Sequence, residues 1–135
     1  MSRHLYLNLP VRDLARSQSF FQALGFSLNP QFSDAQVRCL TLAHNIHLML
    51  LCHSRYQQYS PLPIADSQQQ SAALFCLSCD SREEVDDLVQ RALAAGGSLY
   101  NEAQDHGFMY GHGFRDLDGQ IWELVYMHGI EPGED

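Results

Sequence analysis

A chain of 135 residues with 45% hydrophobic and 18% charged residues has ordinary globular usage, well away from the signature of disorder, and is long enough to bury a single core without staples. Eight Lys and Arg against sixteen Asp and Glu leave a formal charge of -8, so there is no basic stripe to neutralise phosphates or to lie on an anionic membrane, and neither nucleic acid nor membrane is an expected partner. No stretch approaches a membrane span, and MSRHLYLNLPVRD lacks the apolar core and cleavage site of a secretory signal.

In chain order, LYLNLPV alternates as a strand does. Asp13 follows as a helix N-cap. Leu14, Ser17, Phe21 and Leu24 then recur at helical spacing with Phe20 beside them, and Gly25 ends the helix. A strand-like run follows the glycine, and RCLTLA and IHLMLL read as two more strands joined at Asn45. CHSRYQQYSPLPIADSQQQSA is polar and reads as a linker with one helical turn around Tyr56 and Tyr59. LFCLSC is a strand, which sends Cys76 and Cys79 to opposite faces and argues against a redox or zinc role for their CxxC spacing. Cys39 and Cys52 also lie in apolar runs, a pattern that suits a cytoplasmic protein without disulfides. Ser81 and Glu84 form a capping box, Val85, Leu88, Val89 and Ala92 a helical stripe, and Gly96 with Gly97 its end. YGHGFR and IWELVYM flank an Asp118-Gly119 turn, and the tail HGIEPGED is expected to fray.

The same order of signals therefore occurs twice. The expected fold is α+β: one domain of two tandem βαβββ modules, over about 3–52 and 73–127. A linker over about 53–72 joins them, a tail follows from 128 to 135, and the mixed sheets form an incomplete barrel or cup.

Strand alternation assigns the faces. Leu5, Leu7, Leu9, Leu48, Leu50, Phe75, Leu77, Cys79, Trp122, Leu124 and Tyr126 fall on the helix side. The opposite side carries Tyr6, Asn8, His47, Met49, Leu51, Cys76, Ser78, Ile121, Glu123 and Val125, a polar and apolar mixture that suits a ligand cup. Pairing across the Asp118-Gly119 turn is expected to add Tyr110, His112 and Phe114 to the face of Glu123, with His112 a direct or diagonal neighbour of that carboxylate.

With NLPVRDLARSQSFFQALGF at one end and GFRDLDGQIWELV at the other, the duplicated pattern resembles the vicinal oxygen chelate superfamily. That group includes glyoxalase I (lactoylglutathione lyase), bleomycin resistance proteins and extradiol dioxygenases, and the nearest likeness is to glyoxalase-like proteins of the lactoylglutathione lyase type. The resemblance implies a homodimer and, in metal-dependent members, four ligands from four strands around a divalent cation. Carried over by position, those ligands fall on Tyr6, Met49, Leu74 and Glu123. Leucine binds no metal and a thioether suits a hard or borderline cation poorly, so of the four only Glu123 fits.

Several functions follow as expectations. One is a metal-free, cofactor-free protein that binds a small, partly apolar molecule among Tyr6, Asn8, His47, Met49, Tyr110, Phe114, Ile121 and Glu123. A second is a lyase or isomerase of the glyoxalase type, abstracting a proton next to a carbonyl with Glu123 as base and His112 adjusting it, while Tyr6, Tyr110 or His112 donates to the enediolate. A third is a relocated divalent metal site at His47, His112 and Glu123. A fourth is a dimeric protein-interaction scaffold. His44, His53 and His128 are expected to be solvated. Arg12 and Arg38, near strand ends, are the cations that could reach a glutathione carboxylate. Serine hydrolysis finds no support, because no Ser stands in a GxSxG turn.

Overall fold

The computed structural model describes residues 3–128. In order they form β1 (Leu5–Val11), α1 (Leu14–Ala23), β2 (Ser27–Asn29), a 3-10 turn (Pro30–Phe32), β3 (Val37–Ala43), β4 (Ile46–Cys52), α2 (His53–Tyr59), β5 (Leu74–Ser78), α3 (Arg82–Ala94), β6 (Gln104–Asp105), β7 (Met109–Arg115) and β8 (Ile121–Met127). His128 lies in a turn, and the rest of the expected tail falls outside the described residues. The chain divides into two compact units, Met1–Asp66 and Ser67–Asp135.

Each unit holds one four-stranded mixed sheet, ordered β1-β4-β3-β2 in the first and β5-β8-β7-β6 in the second. The leading strand of each pairs parallel with the last strand of its unit, and the other pairings are antiparallel. Neither sheet closes into a barrel. The α+β fold of two βαβββ modules is thus as the repeat implied.

The two principal helices begin and end by the same devices. Asp13 caps α1 by accepting from the Arg16 N–H, and Ser81 caps α3 by accepting from the Glu84 N–H. The Glu84 carboxylate in turn accepts from the backbone N–H of Asp80 at 2.7 Å. At the far ends Gly25 and Gly96 take positive φ values of 99° and 106°. The N–H groups of Phe26 and Gly97 then reach back to the carbonyls of Phe21 and Ala92. That bond and its inner companion satisfy carbonyls that the helix leaves unpaired.

One face of each sheet packs under its helix. In the first unit Phe20 and Phe21 of α1 are buried with Leu9, Leu40, Leu48 and Leu50. In the second, Val85, Val89 and Ala92 of α3 are buried with Phe114, Trp122 and Leu124. Truncating one of these leucines to alanine costs about 2–5 kcal/mol by the usual cavity penalty. Leu5, expected on the helix side, is 58% exposed at the start of its edge strand.

The linker begins as structure: α2 follows β4 without a break and packs against β1 and β4, two helical turns where one was expected. Among the described residues no helix is long and apolar enough to cross a membrane.

Candidate functional site

The turn between β7 and β8 sets the geometry of the second sheet. Arg115 is the last residue of β7 to pair, opposite Ile121, so the loop 116–120 holds five residues. Asp116 explains the odd number. Its carboxylate is buried and leaves the ladder to accept from the N–H groups of Asp118 and Gln120 and from the Trp122 indole, each at 3.0 Å. Burial pushes this carboxyl up to about 6, against the pull of those three donors.

An odd loop reverses the expected faces, because side chains alternate with period two and a one-residue slip moves each to the other side. Gly113 therefore pairs with Glu123, whereas His112 pairs with Leu124, Phe114 with Trp122 and Tyr110 with Tyr126. The expectation that Tyr110, His112 and Phe114 share a face with Glu123 is corrected: all three point toward α3. Phe114 is buried and lies parallel to Trp122, with ring centroids 6.5 Å apart. Tyr110 donates its hydroxyl to Asp86 of α3 beneath the Arg82 guanidinium. His112 Nε2 sits 3.4 Å from the Asn101 carbonyl oxygen. Tyr110 thus ties β7 to α3, Phe114 packs in the core, and His112 meets the segment after α3. A metal site joining His47, His112 and Glu123 fails for the same reason, since the last two leave the hairpin in opposite directions.

On the face opposite α3, Glu123 is half-buried and lies directly across from Cys76 of β5 on one side and Gly113 of β7 on the other. Leu74, Ser78, Ile121 and Val125 share this face. Tyr100, in the segment after α3, lies over Gly113: a Cβ added there would collide with its hydroxyl and with the Trp122 carbonyl. Desolvation and then the Glu123 carboxylate and Cys76 push the Tyr100 phenol up to about 12, so it stays protonated at neutral pH. Desolvation followed by the Glu123 charge also pushes the Cys76 thiol up. A carboxylate, a phenol donor and a thiol thus meet on an otherwise largely apolar wall.

Sequence reasoning missed Tyr100. The signal that could have found it is Gly111-x-Gly113, two glycines on one face of a strand, which marks close approach by another group.

On the first sheet the register joins the expected residues on the face opposite α1. Tyr6 pairs with His47 and Asn8 with Met49, while Thr41 and Cys39 complete the rows. Asn8 donates its amide to the Tyr6 carbonyl at 3.1 Å. Arg38 points to the other side, where its Nε donates to Gln18 of α1 at 2.8 Å. Arg12 makes an exposed ion pair with Asp66 at 3.7 Å.

Comparison with known proteins agrees with this architecture. Residues 3–40 match the bleomycin resistance protein-like N-terminal family model. A hypothetical protein of S. aureus superposes with a TM-score of 0.79 at 27% identity, over 93% of this chain and 94% of that one. A glyoxalase-related enzyme from Fulvimarina pelagi gives 0.82 at 20% identity, over 100% and 95%. A glyoxalase/bleomycin resistance protein/dioxygenase family enzyme from Burkholderia phytofirmans gives 0.76 at 21%, over 93% and 99%. No curated protein matches the sequence. The chain has the glyoxalase/bleomycin resistance/dioxygenase fold, and these findings support its place in the vicinal oxygen chelate superfamily.

The divalent metal that the superfamily implies does not fit the residues at the expected positions. Met49 and Tyr6 share one sheet face, Leu74 and Glu123 another, and of these four only Glu123 is a carboxylate or imidazole. Among the described residues no group of three or more His, Cys, Asp or Glu is arranged to hold a metal ion.

Proposed function

We propose that this protein binds a small, partly apolar molecule on the face of the second sheet opposite α3, through Glu123 and Tyr100, without a divalent metal. The observation that carries the reading is the meeting of Glu123 and the protonated Tyr100 phenol beside Gly113. One group accepts, the other donates, and Leu74, Ile121 and Val125 supply apolar contact area, as ligand sites require. A ligand carrying both a donor and a carbonyl or hydroxyl acceptor next to a hydrocarbon body matches that set. The neighbourhood of the superfamily implies a homodimer, and we include it in the proposal.

One observation favours a second reading, a glyoxalase-type lyase or isomerase. A half-buried carboxylate beside a phenol that keeps its proton is a base next to a hydrogen-bond donor. Glu123 would take a proton from carbon next to a carbonyl, and Tyr100 would donate to the oxygen that gains charge. His112 has no part in this, since it lies on the far face.

A thermal-shift screen of small carbonyl and aromatic compounds, run on the protein and on Glu123→Gln, tests the binding reading. Stabilising compounds should lose their effect in the variant. Elemental analysis of protein purified without chelators completes the test: about one tightly held divalent ion per chain, lost in the same variant, would overturn the metal-free reading.

A further inference from the structure

A second polar cluster lies in the first unit, where β1 begins beside the turn that leads into β4. The Leu5 N–H donates to the Asn45 carbonyl at 2.8 Å and fixes the two segments together. Across this junction His4 Nδ1 and His47 Nε2 lie 2.9 Å apart. The two rings are within 9° of parallel, with centroids 5.2 Å apart. That separation amounts to the nitrogen–nitrogen distance plus one ring radius on each side, so the nitrogens meet head on in a common plane. Tyr6 lies flat against His47 at 4.7 Å, His44 meets His4 edge-on at 5.4 Å, and Thr41 Oγ1 stands 3.5 Å from the other nitrogen of His47.

Simple chemistry limits what such a contact holds. Two bare nitrogens would oppose their lone pairs, and two N–H groups would oppose their hydrogens, so the contact needs one of each. A metal ion bonds imidazole nitrogen at about 2.0–2.1 Å and has no room on a line of this length. We propose that His4 and His47 form a proton-sharing dyad, one hydrogen bridging the two rings, and that the dyad is a pH-sensitive latch on the start of β1.

The proton count defines the latch. The neutral pair carries one bridging hydrogen. A first added proton goes to an outer nitrogen and leaves the bridge intact. A second makes both rings imidazolium with hydrogens on all four nitrogens, and the bridge is lost. The groups around the pair are His44 from the turn, Tyr6 from β1 and the Thr41 hydroxyl from β3, with Arg3 adjacent in sequence. Among the described residues no carboxylate hydrogen-bonds or ion-pairs with His4, His44 or His47, so a double charge on the pair has no direct acidic partner. Desolvation, then His4 and His44, lowers the affinity of His47 for its proton, in the direction the latch requires. With the bridge gone, the His4 ring leaves the plane of His47 and the start of β1 loses its side-chain tie to β4.

Long-range proton–nitrogen NMR of the histidine rings, on the full chain between about pH 5 and pH 8.5, reads this directly. At high pH one bridging nitrogen should be protonated and the other bare. The pair should then titrate in two macroscopic steps separated by about one pH unit or more, with the Tyr6 ring signals shifting on the second. In His4→Gln, His47 should titrate in a single step and Tyr6 should lose its second transition. Coincident single steps in the original protein, unchanged by His4→Gln, would overturn the dyad. So would equimolar zinc at neutral pH shifting both bridging nitrogens together, which would make the pair metal ligands instead.

Discussion

Gly113 stands directly across the ladder from Glu123, and His112, one residue earlier, faces the opposite way across from Leu124. The imidazole of this hairpin therefore lies on the face opposite the carboxylate. It has the Tyr100 phenol, which comes close because Gly113 offers no side chain to block it.

Replacing Gly113 with alanine should expel that phenol. The new methyl would collide with the Trp122 carbonyl as well as with Tyr100, and neither the ladder nor the ring can yield without loss. A destabilisation of about 1–3 kcal/mol is expected from overpacking of this kind. Urea denaturation would measure it. An ultraviolet pH titration should show the high-pH tyrosine step of Tyr100, near 12 in the original protein, moving down toward the ordinary phenol range.

Asp116 should make stability depend on pH in an unusual direction. Its folded-state value of about 6 lies above the ordinary carboxyl value of about 3.9. Between these values the folded protein binds more protons than the unfolded chain, so the contribution of this group falls as pH rises from about 4 to about 6 and is level beyond. Asp116→Asn removes the titration. It also loses an acceptor from the Trp122 indole, so the variant should be less stable throughout. The gap between the two proteins should narrow by about 2–3 kcal/mol from pH 4 to pH 6. Denaturation curves at half-unit intervals would show it, and a gap that widens over that range would reverse the assignment.

The four thiols should separate by reactivity. The Ser54 hydroxyl and the Arg55 N–H hold the Cys52 thiol below its ordinary value, whereas desolvation raises Cys76, Cys39 and, to about 12, Cys79. Thiolate is the reactive form, so Cys52 should alkylate first and the buried Cys39 and Cys79 last. Glu123→Gln removes a charge that raises Cys76 and should speed its alkylation roughly two- to fivefold. Peptide-mapped iodoacetamide rates would give the order and the change.

Much of the fold was legible because its signals are local and occur twice. Asp13 and Ser81 cap their helices and Gly25 and Gly96 end them as the residue types require, and the apolar alternation assigned Leu48, Leu50, Trp122 and Leu124 correctly to the helix side. The candidate site was legible on one strand and misread on its neighbour. Alternation places Glu123, Ile121 and Cys76 together whatever the turn, but the side taken by Tyr110, His112 and Phe114 depends on whether the loop has an even or odd number of residues. That parity rests on Asp116 turning inward to Trp122, a contact that no periodicity reveals. His4 escaped notice because it precedes the first strand, and its partner is 43 positions away.

Mapping ligand contacts by amide and methyl NMR, with a fragment library of small carbonyl and aromatic compounds, tests binding at Glu123 most directly. Hits are expected to perturb Cys76, Tyr100, Ile121 and Glu123 together and to lose at least tenfold in affinity in Glu123→Gln, about 1.4 kcal/mol or more. Hits that perturb only the α3 side of the sheet, or that bind the variant equally well, would contradict a ligand site on this face.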